Sequence, residues 1–301
     1  MKTQGRSLVG RATKSAIGVF AIVAATTVGF AVGDALAAPQ VDAATIAQHS
    51  DTPSGDARGV TAADWRWGLA PGKTIEIEGV TGSIRAVGTR GGDVVVHARK
   101  RARHSDPDEV TVEVLRHEDG ITLCVRYPDV WGSRRNVCAP HGRSHMSTRD
   151  NDVAVDFELQ VPEGVRFVGR TITGSVEGRG LGADAEGRTV TGSVTLETRG
   201  CAEASTVTGS VRVRMGRLRG DGSPLEFKTV TGGVTVEIPE DADAEVAMEN
   251  VTGGVESEFP MQVRHAGIVG HRLSGTLGHG GPRLRLETVT GSLHLLKMRS
   301  F

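Results

Sequence analysis

A tetrad recurs along this chain in near copies: "TVTGSVTLET", "TVTGSVRVRM", "TVTGGVTVEI", "NVTGGVESEF" and "TVTGSLHLLK". Its glycine stands at Gly82, Gly174, Gly192, Gly209, Gly232, Gly253 and Gly291, with a degenerate copy, "LSGTL", around Gly275. From Gly174 on, the steps are 18, 17, 23, 21, 22 and 16 residues. At about 3.3 Å per extended residue a step is a path of roughly 55–75 Å. That suits one circuit of a small β-solenoid coil and is short for a four-stranded propeller blade of ~40 residues.

The alternation around the tetrad says what it does. In "LEFKTVTGGVTVEI" the apolar positions are Leu225 and Phe227 before it and Val234, Val236 and Ile238 after it, so the parity slips by one. "LRLETVTGSLHLL" repeats the slip, from Leu284 and Leu286 to Leu293 and Leu295. Strand side chains alternate strictly, so both sets reach one core only if the chain bends or bulges at the tetrad. Glycine fits a bend that demands positive φ or a close backbone approach. Stacked coils would set Thr171, Thr189, Thr206, Thr229, Asn250 and Thr288 above one another as a ladder satisfying itself at the corner. The competing reading, a nest of N–H groups for phosphate, lacks the single turn feeding a helix that such a site needs.

Other segments read as short alternating strands closed by Gly, Pro or Asp: "KTIEIEGV", "GSIRAVG", "DVVVHAR", "VTVEVLR", "ITLCVRY" and "VAVDFELQVP". Glu118-Asp119-Gly120 marks a hairpin turn. Helical periods and capped helices are almost missing. Aromatics make up 4% of the chain, so the core must come from Val, Leu, Ile, Ala and Thr.

Lys2, Arg6, Arg11 and Lys14 precede an apolar run from Ala16 to about Val32 that ends in Ala35-Leu36-Ala37. This is the layout of a secretory signal cleaved near Ala37. The run is also just long enough for an uncleaved membrane anchor. Beyond residue 37 there remain 35−4=31 basic and 36−1=35 acidic side chains, a net of −4. A weakly acidic, mixed surface gives no case for nucleic acid, which needs a concentrated basic face. The basic cluster "HARKRARH" at 97–104 reads as a solvated strand edge protected by charge.

In an oxidising compartment Cys124 and Cys138 are the natural disulfide pair, closing a loop of 14 steps at about 3 kcal/mol of stabilisation. Cys201 reads as a small core residue. The alternative for the same loop is zinc, held by Cys138, His141 and His145 in a C-x2-H-x3-H array with Cys124 as fourth ligand. His265, His271 and His279 read as surface and turn residues.

Two functional classes compete. In a polysaccharide-active enzyme, Glu177, Glu197 and Glu237 would gather in register on one face. Each, however, occupies an outward position beside a tetrad, where solvated charge is expected. In a binding module, the irregular excursion at 128–150 would carry recognition through Trp131, Arg134, Arg135 and His141.

The strand end "CVRYP", the stretch "VDFELQVPEGV" and the following T-V-T-G-S-V run resemble the bacterial "putative adhesin" domain, a domain of unknown function, over roughly residues 65–297. The resemblance implies a right-handed parallel β-helix in an exported, envelope-associated structural or adhesive protein without a defined catalytic site. The expectation is therefore an all-β, single-stranded parallel β-solenoid with an N-terminal hairpin excursion, divided into a signal peptide (1–37), a flexible leader (38–64) and the solenoid (65–301). It is expected to be non-catalytic, with no cofactor or metal, partnered by an envelope or surface component, protein or glycan, and without stable membrane insertion after signal cleavage.

Overall fold

The computed structural model describes residues 60–220, 223–260, 262–264 and 270–299. The expected signal segment, most of the leader and His265 lie outside them. The described residues form 21 strands and one short 3-10 turn, Pro107–Glu109, gathered into two mixed sheets of 10 and 11 strands. No helix among them is long and apolar enough to cross a membrane.

The centre of each sheet is parallel. In the first, Ile84–Thr89, Val176–Leu181, Val194–Thr198, Val211–Met215, Val234–Pro239 and Leu293–Met298 follow one another side by side. In the second, Thr74–Glu78, Arg166–Arg170, Ala185–Arg188, Ala202–Ser205, Leu225–Lys228 and Arg283–Thr290 do the same. Through this region the chain passes from the second sheet, across a tetrad, to the first, and then returns. Parallel strands buried against a facing sheet favour the β-branched and aliphatic residues that dominate here.

The tetrad is the corner between the sheets. Leu225 and Phe227 before it and Val234, Val236 and Ile238 after it are all fully buried, so the parity slip turns both strands towards one core. The seven tetrad glycines adopt φ between 128° and 151°. At Gly192 a Cβ would lie 2.0 Å from the carbonyl oxygen of Gly174, a contact no side chain survives. The threonines stack as expected but do not bond to one another. Thr189 donates to Gly174 O at 2.8 Å, Thr206 to Gly192 O at 2.9 Å, Thr229 to Gly209 O at 2.9 Å and Thr288 to Gly232 O at 3.0 Å. The reason is geometric: the glycine carbonyl of the neighbouring layer lies within reach of each hydroxyl.

The stacking order departs from the order of the sequence at both ends. Leu284 pairs with Leu225 on one side and Val246 on the other, so the layer at 283–298 wedges between those at 225–239 and 244–257. Asn250 is thus the outermost member of the ladder, its Nδ2 donating to Gly291 O at 3.3 Å. The layer at 74–89 likewise lies between Gly120–Arg126 and Ala154–Pro162 on one side and Arg166–Leu181 on the other. Antiparallel strands close both ends, among them Thr111–His117, Asp93–Arg101 and His271–Leu277. Gly275 of "LSGTL" faces Val246 across one of these antiparallel ladders and is not a corner.

Two further expectations change. The strand Val60–Gly68 begins inside the stretch read as a leader, because "TAADWRWG" pairs along its length with Asp93–Arg101 and packs Trp65 and Trp67 against the core. Consequently Asp93–Arg101 is flanked on both sides and is not an edge. Two of its basic residues are paired with acids instead, His97 Nδ1 with Asp64 Oδ1 and Arg101 Nε with Asp156 Oδ2, each at 2.5 Å.

Candidate functional site

The excursion 127–153 leaves the second sheet at the end of Gly120–Arg126 and is fastened at several points. Cys124 and Cys138 form a disulfide with Cα atoms 5.7 Å apart. The buried Tyr127 donates its hydroxyl to Val153 O at 2.6 Å, clasping the two ends of the loop. Asn136 is its inner hub: Nδ2 donates to Tyr127 O and Ser147 O, both at 2.9 Å, while Oδ1 accepts from Ser147 N. A buried amide with both ends satisfied specifies one loop conformation.

Outside this hub the expected contact residues are exposed. Trp131 is 98% accessible, Arg134 and Arg135 point outward, and Arg135 pairs with Asp129 at 3.4 Å. A bare tryptophan on a braced loop costs little to immobilise on binding. A second apolar feature runs along the tetrad corner, where Ile172, Val190 and Val251 are exposed.

His141 does something different from what its sequence neighbours suggest. His141 and Gly142 lie in the left-handed region, with φ 63° and 67°, and both backbone N–H groups donate to the carboxylate of Glu76, at 2.8 and 3.1 Å. The turn therefore covers the outer face of the second sheet. Beneath it lies a charged cluster on the outward positions of the alternating strand "TIEIE": Glu76 and Glu78 are only 3% and 8% exposed. Arg170 joins them, bonded to Glu76 and to Glu186 Oε1, the latter at 2.7 Å, with Glu78 at 3.6 Å. Burial would lower the Arg170 pKa, but Glu186 and Glu76 outweigh it and raise it. Burial likewise opposes the ionised Glu186, and Arg170 and Arg188 overcome it and hold its pKa low. Glu78 is left with the weakest support, and burial, aided by the neighbouring Glu76, pushes its carboxyl up to about 7.

The C-x2-H-x3-H array does not assemble. Cys138 is committed to the disulfide, and the His145 backbone pairs with Val137. His141 instead meets residues of the hairpin at 117–120: its Nε2 lies 3.3 Å from Asp119 Oδ2, and its ring stands edge-on to His117 with centroids 5.3 Å apart. Among the described residues, His117, Asp119 and His141 are the group able to converge on one ion. Burial and the neighbouring His141 lower the His117 pKa.

The remaining candidates are dispersed. Glu177 bonds to Arg85 at 3.0 Å and to Arg179, Glu197 faces Arg214 across its ladder, and Glu237 pairs with Arg214 at 3.6 Å. The three carboxylates are thus interleaved with arginines along the first sheet. Cys201 is buried, and burial raises its thiol pKa. His279 sits at an exposed turn beside Asp243, and His271 is exposed at the start of its strand.

No family model and no curated protein matches the chain. Two crystal structures show partial likeness. One is a "putative cell adhesion protein" from Clostridium sporogenes, 11% identical with a TM-score of 0.41, covering 79% of this chain and 100% of that one. The other is a "putative adhesin" from Bacteroides fragilis, 10% identical with a TM-score of 0.33, covering 80% and 98% respectively. Likeness at this level assigns neither activity nor ancestry.

Proposed function

We propose that the chain is an exported, non-catalytic scaffold, a right-handed single-stranded β-solenoid that presents the loop 127–153 to an envelope or surface component, protein or glycan. The observation that carries this reading is the contrast within the loop: its base is tied by a disulfide and a satisfied buried asparagine, while Trp131 at its tip is 98% exposed. Rigid loops on strand scaffolds are a common seat of recognition, and Trp and Arg dominate interface energetics. Alternation of successive strands between two parallel ladders supports the solenoid. Export draws its support from the segment at 1–37 and from the disulfide, which suits an oxidising compartment. The test is to screen the purified chain against glycans and envelope fractions, with a variant carrying Trp131→Ala, Arg134→Ala and Arg135→Ala as comparator. Selective retention of the wild type supports the reading, and equal retention of the two rejects it.

A further inference from the structure

We propose that His117, Asp119 and His141 bind a divalent transition metal of the zinc class, which fastens the loop 127–153 to the hairpin joining Thr111–His117 and Gly120–Arg126. The site stands whether or not the loop recognises a surface component.

One donor atom from each residue lies within 4.8 Å of the others. The His141 Nε2 to Asp119 Oδ2 distance, 3.3 Å, matches the edge of a tetrahedron with bonds of about 2.0–2.1 Å. Two imidazoles and one carboxylate suit zinc, cobalt or nickel, whereas calcium and magnesium prefer all-oxygen sets.

The second observation concerns His117. Its Nε2 lies 3.0 Å from Thr122 Oγ1, and that hydroxyl donates its own proton to Glu76 Oε2 at 2.9 Å. Thr122 can therefore only accept from His117, so Nε2 carries the proton and Nδ1 keeps a free lone pair. Nδ1 is buried and has no hydrogen-bond partner. A buried acceptor left without a partner is costly and calls for an explanation. A chain from imidazole through hydroxyl to carboxylate is also how metal-binding histidines are commonly fixed in one tautomer.

Glu76 organises both halves of the site. Through Thr122 it sets the His117 ring, and through the N–H of His141 it sets the turn that carries the second imidazole. His117 and Asp119 flank the hairpin turn, and His141 arrives from the loop, so an ion shared by the three would link two segments otherwise joined mainly by the disulfide and Glu76. The Asp119 and His141 side chains are more than half exposed, which leaves a path for the ion to enter.

The oxidised full chain, stripped with a chelator, is titrated with Co2+ and then Zn2+. One cobalt per chain should bind with the visible bands of a nitrogen and oxygen site, without a thiolate charge-transfer band, and zinc should displace it. Asp119→Asn and His141→Gln should each weaken binding by at least about tenfold, while His145→Gln leaves it unchanged. In chelator both weakened variants should melt with the wild type, which separates lost binding from lost fold. The proposal is overturned if the wild type binds no more cobalt than a chain lacking all three residues, or if binding survives both single substitutions. It is equally overturned if the oxidised chain binds no cobalt and binding appears, with a thiolate band, only after reduction, which would put the metal on Cys138. Glycan or envelope retention plays no part in this readout, so its failure and that of the scaffold reading are told apart.

Discussion

The hydroxyl of Thr189 donates to the carbonyl of Gly174 at 2.8 Å, reaching from one tetrad corner to its neighbour. The same carbonyl lies 2.0 Å from where a Cβ on Gly192 would stand. The threonine and the glycine of the motif thus answer to one oxygen: the first bonds to it, and the second makes room for it.

Gly192→Ala should therefore be among the most damaging single changes in the chain, costing about 4 kcal/mol or more, because backbone must move and φ is positive. Thr206→Val keeps the shape and loses only the bond to Gly192 O, at a cost of about 1 kcal/mol. Denaturant unfolding of the two variants checks the ranking.

Val234→Asp places a carboxylate in a fully buried position between Val211 and Leu293 and should cost several kcal/mol. Glu237→Gln, on the outer face beside Arg214, should change stability by no more than about 1 kcal/mol. Equal melting temperatures for Val234→Asp and wild type would contradict the inward assignment.

Glu78 makes stability depend on pH in an unusual direction. Its carboxyl titrates near 7 in the fold against an ordinary 4.5, so the folded chain holds a proton that the unfolded chain has released between those values. Its contribution is complete below the ordinary value and is lost as pH rises through 7, a decline on the order of 3 kcal/mol. Glu186, held low by Arg170 and Arg188, works in the opposite sense, its contribution being present above its ordinary value and lost on acidification. Glu78→Gln should flatten the decline between about pH 5 and pH 8 in a series of unfolding curves. An unchanged slope would contradict the assignment to Glu78.

Replacing Cys124 and Cys138 together by Ser should cost about 3 kcal/mol. Hydrogen exchange should accelerate first at the amides of His141 and Gly142, whose bonds to Glu76 hold the loop on the sheet.

The corner was legible because glycine, parity and period all mark it locally: Leu225, Phe227 and Val234 announce the bend without any knowledge of partners. Stacking order was not. Leu284 pairs with Leu225 on one side and Val246 on the other, and His271–Leu277 takes the far edge of Ala244–Thr252, an arrangement that no local pattern announces. The charged cluster was hidden for a related reason. Glu76 and Glu78 carry the pattern of a solvated face, and the turn that covers them lies 65 residues away from Glu76 along the chain. At the loop the Cys124–Cys138 pairing was legible from spacing and compartment, and the zinc alternative on C-x2-H-x3-H fell with it, whereas the meeting of His141 with Asp119 depends on how the loop folds back on the hairpin and has no local signal.

The central claim, that the braced loop and not the sheet face is the working surface, is tested most directly by measuring three proteins on one envelope or glycan fraction that retains the wild type. They are the wild type, the Trp131, Arg134 and Arg135 triple alanine variant, and a variant with Glu177, Glu197 and Glu237 all changed to Gln. The loop variant should lose retention at an unchanged melting temperature, the carboxylate variant should bind as the wild type does, and no protein should release product from the glycan. Retention lost in the carboxylate variant but kept in the loop variant, or product release that tracks those three carboxylates, would contradict the account.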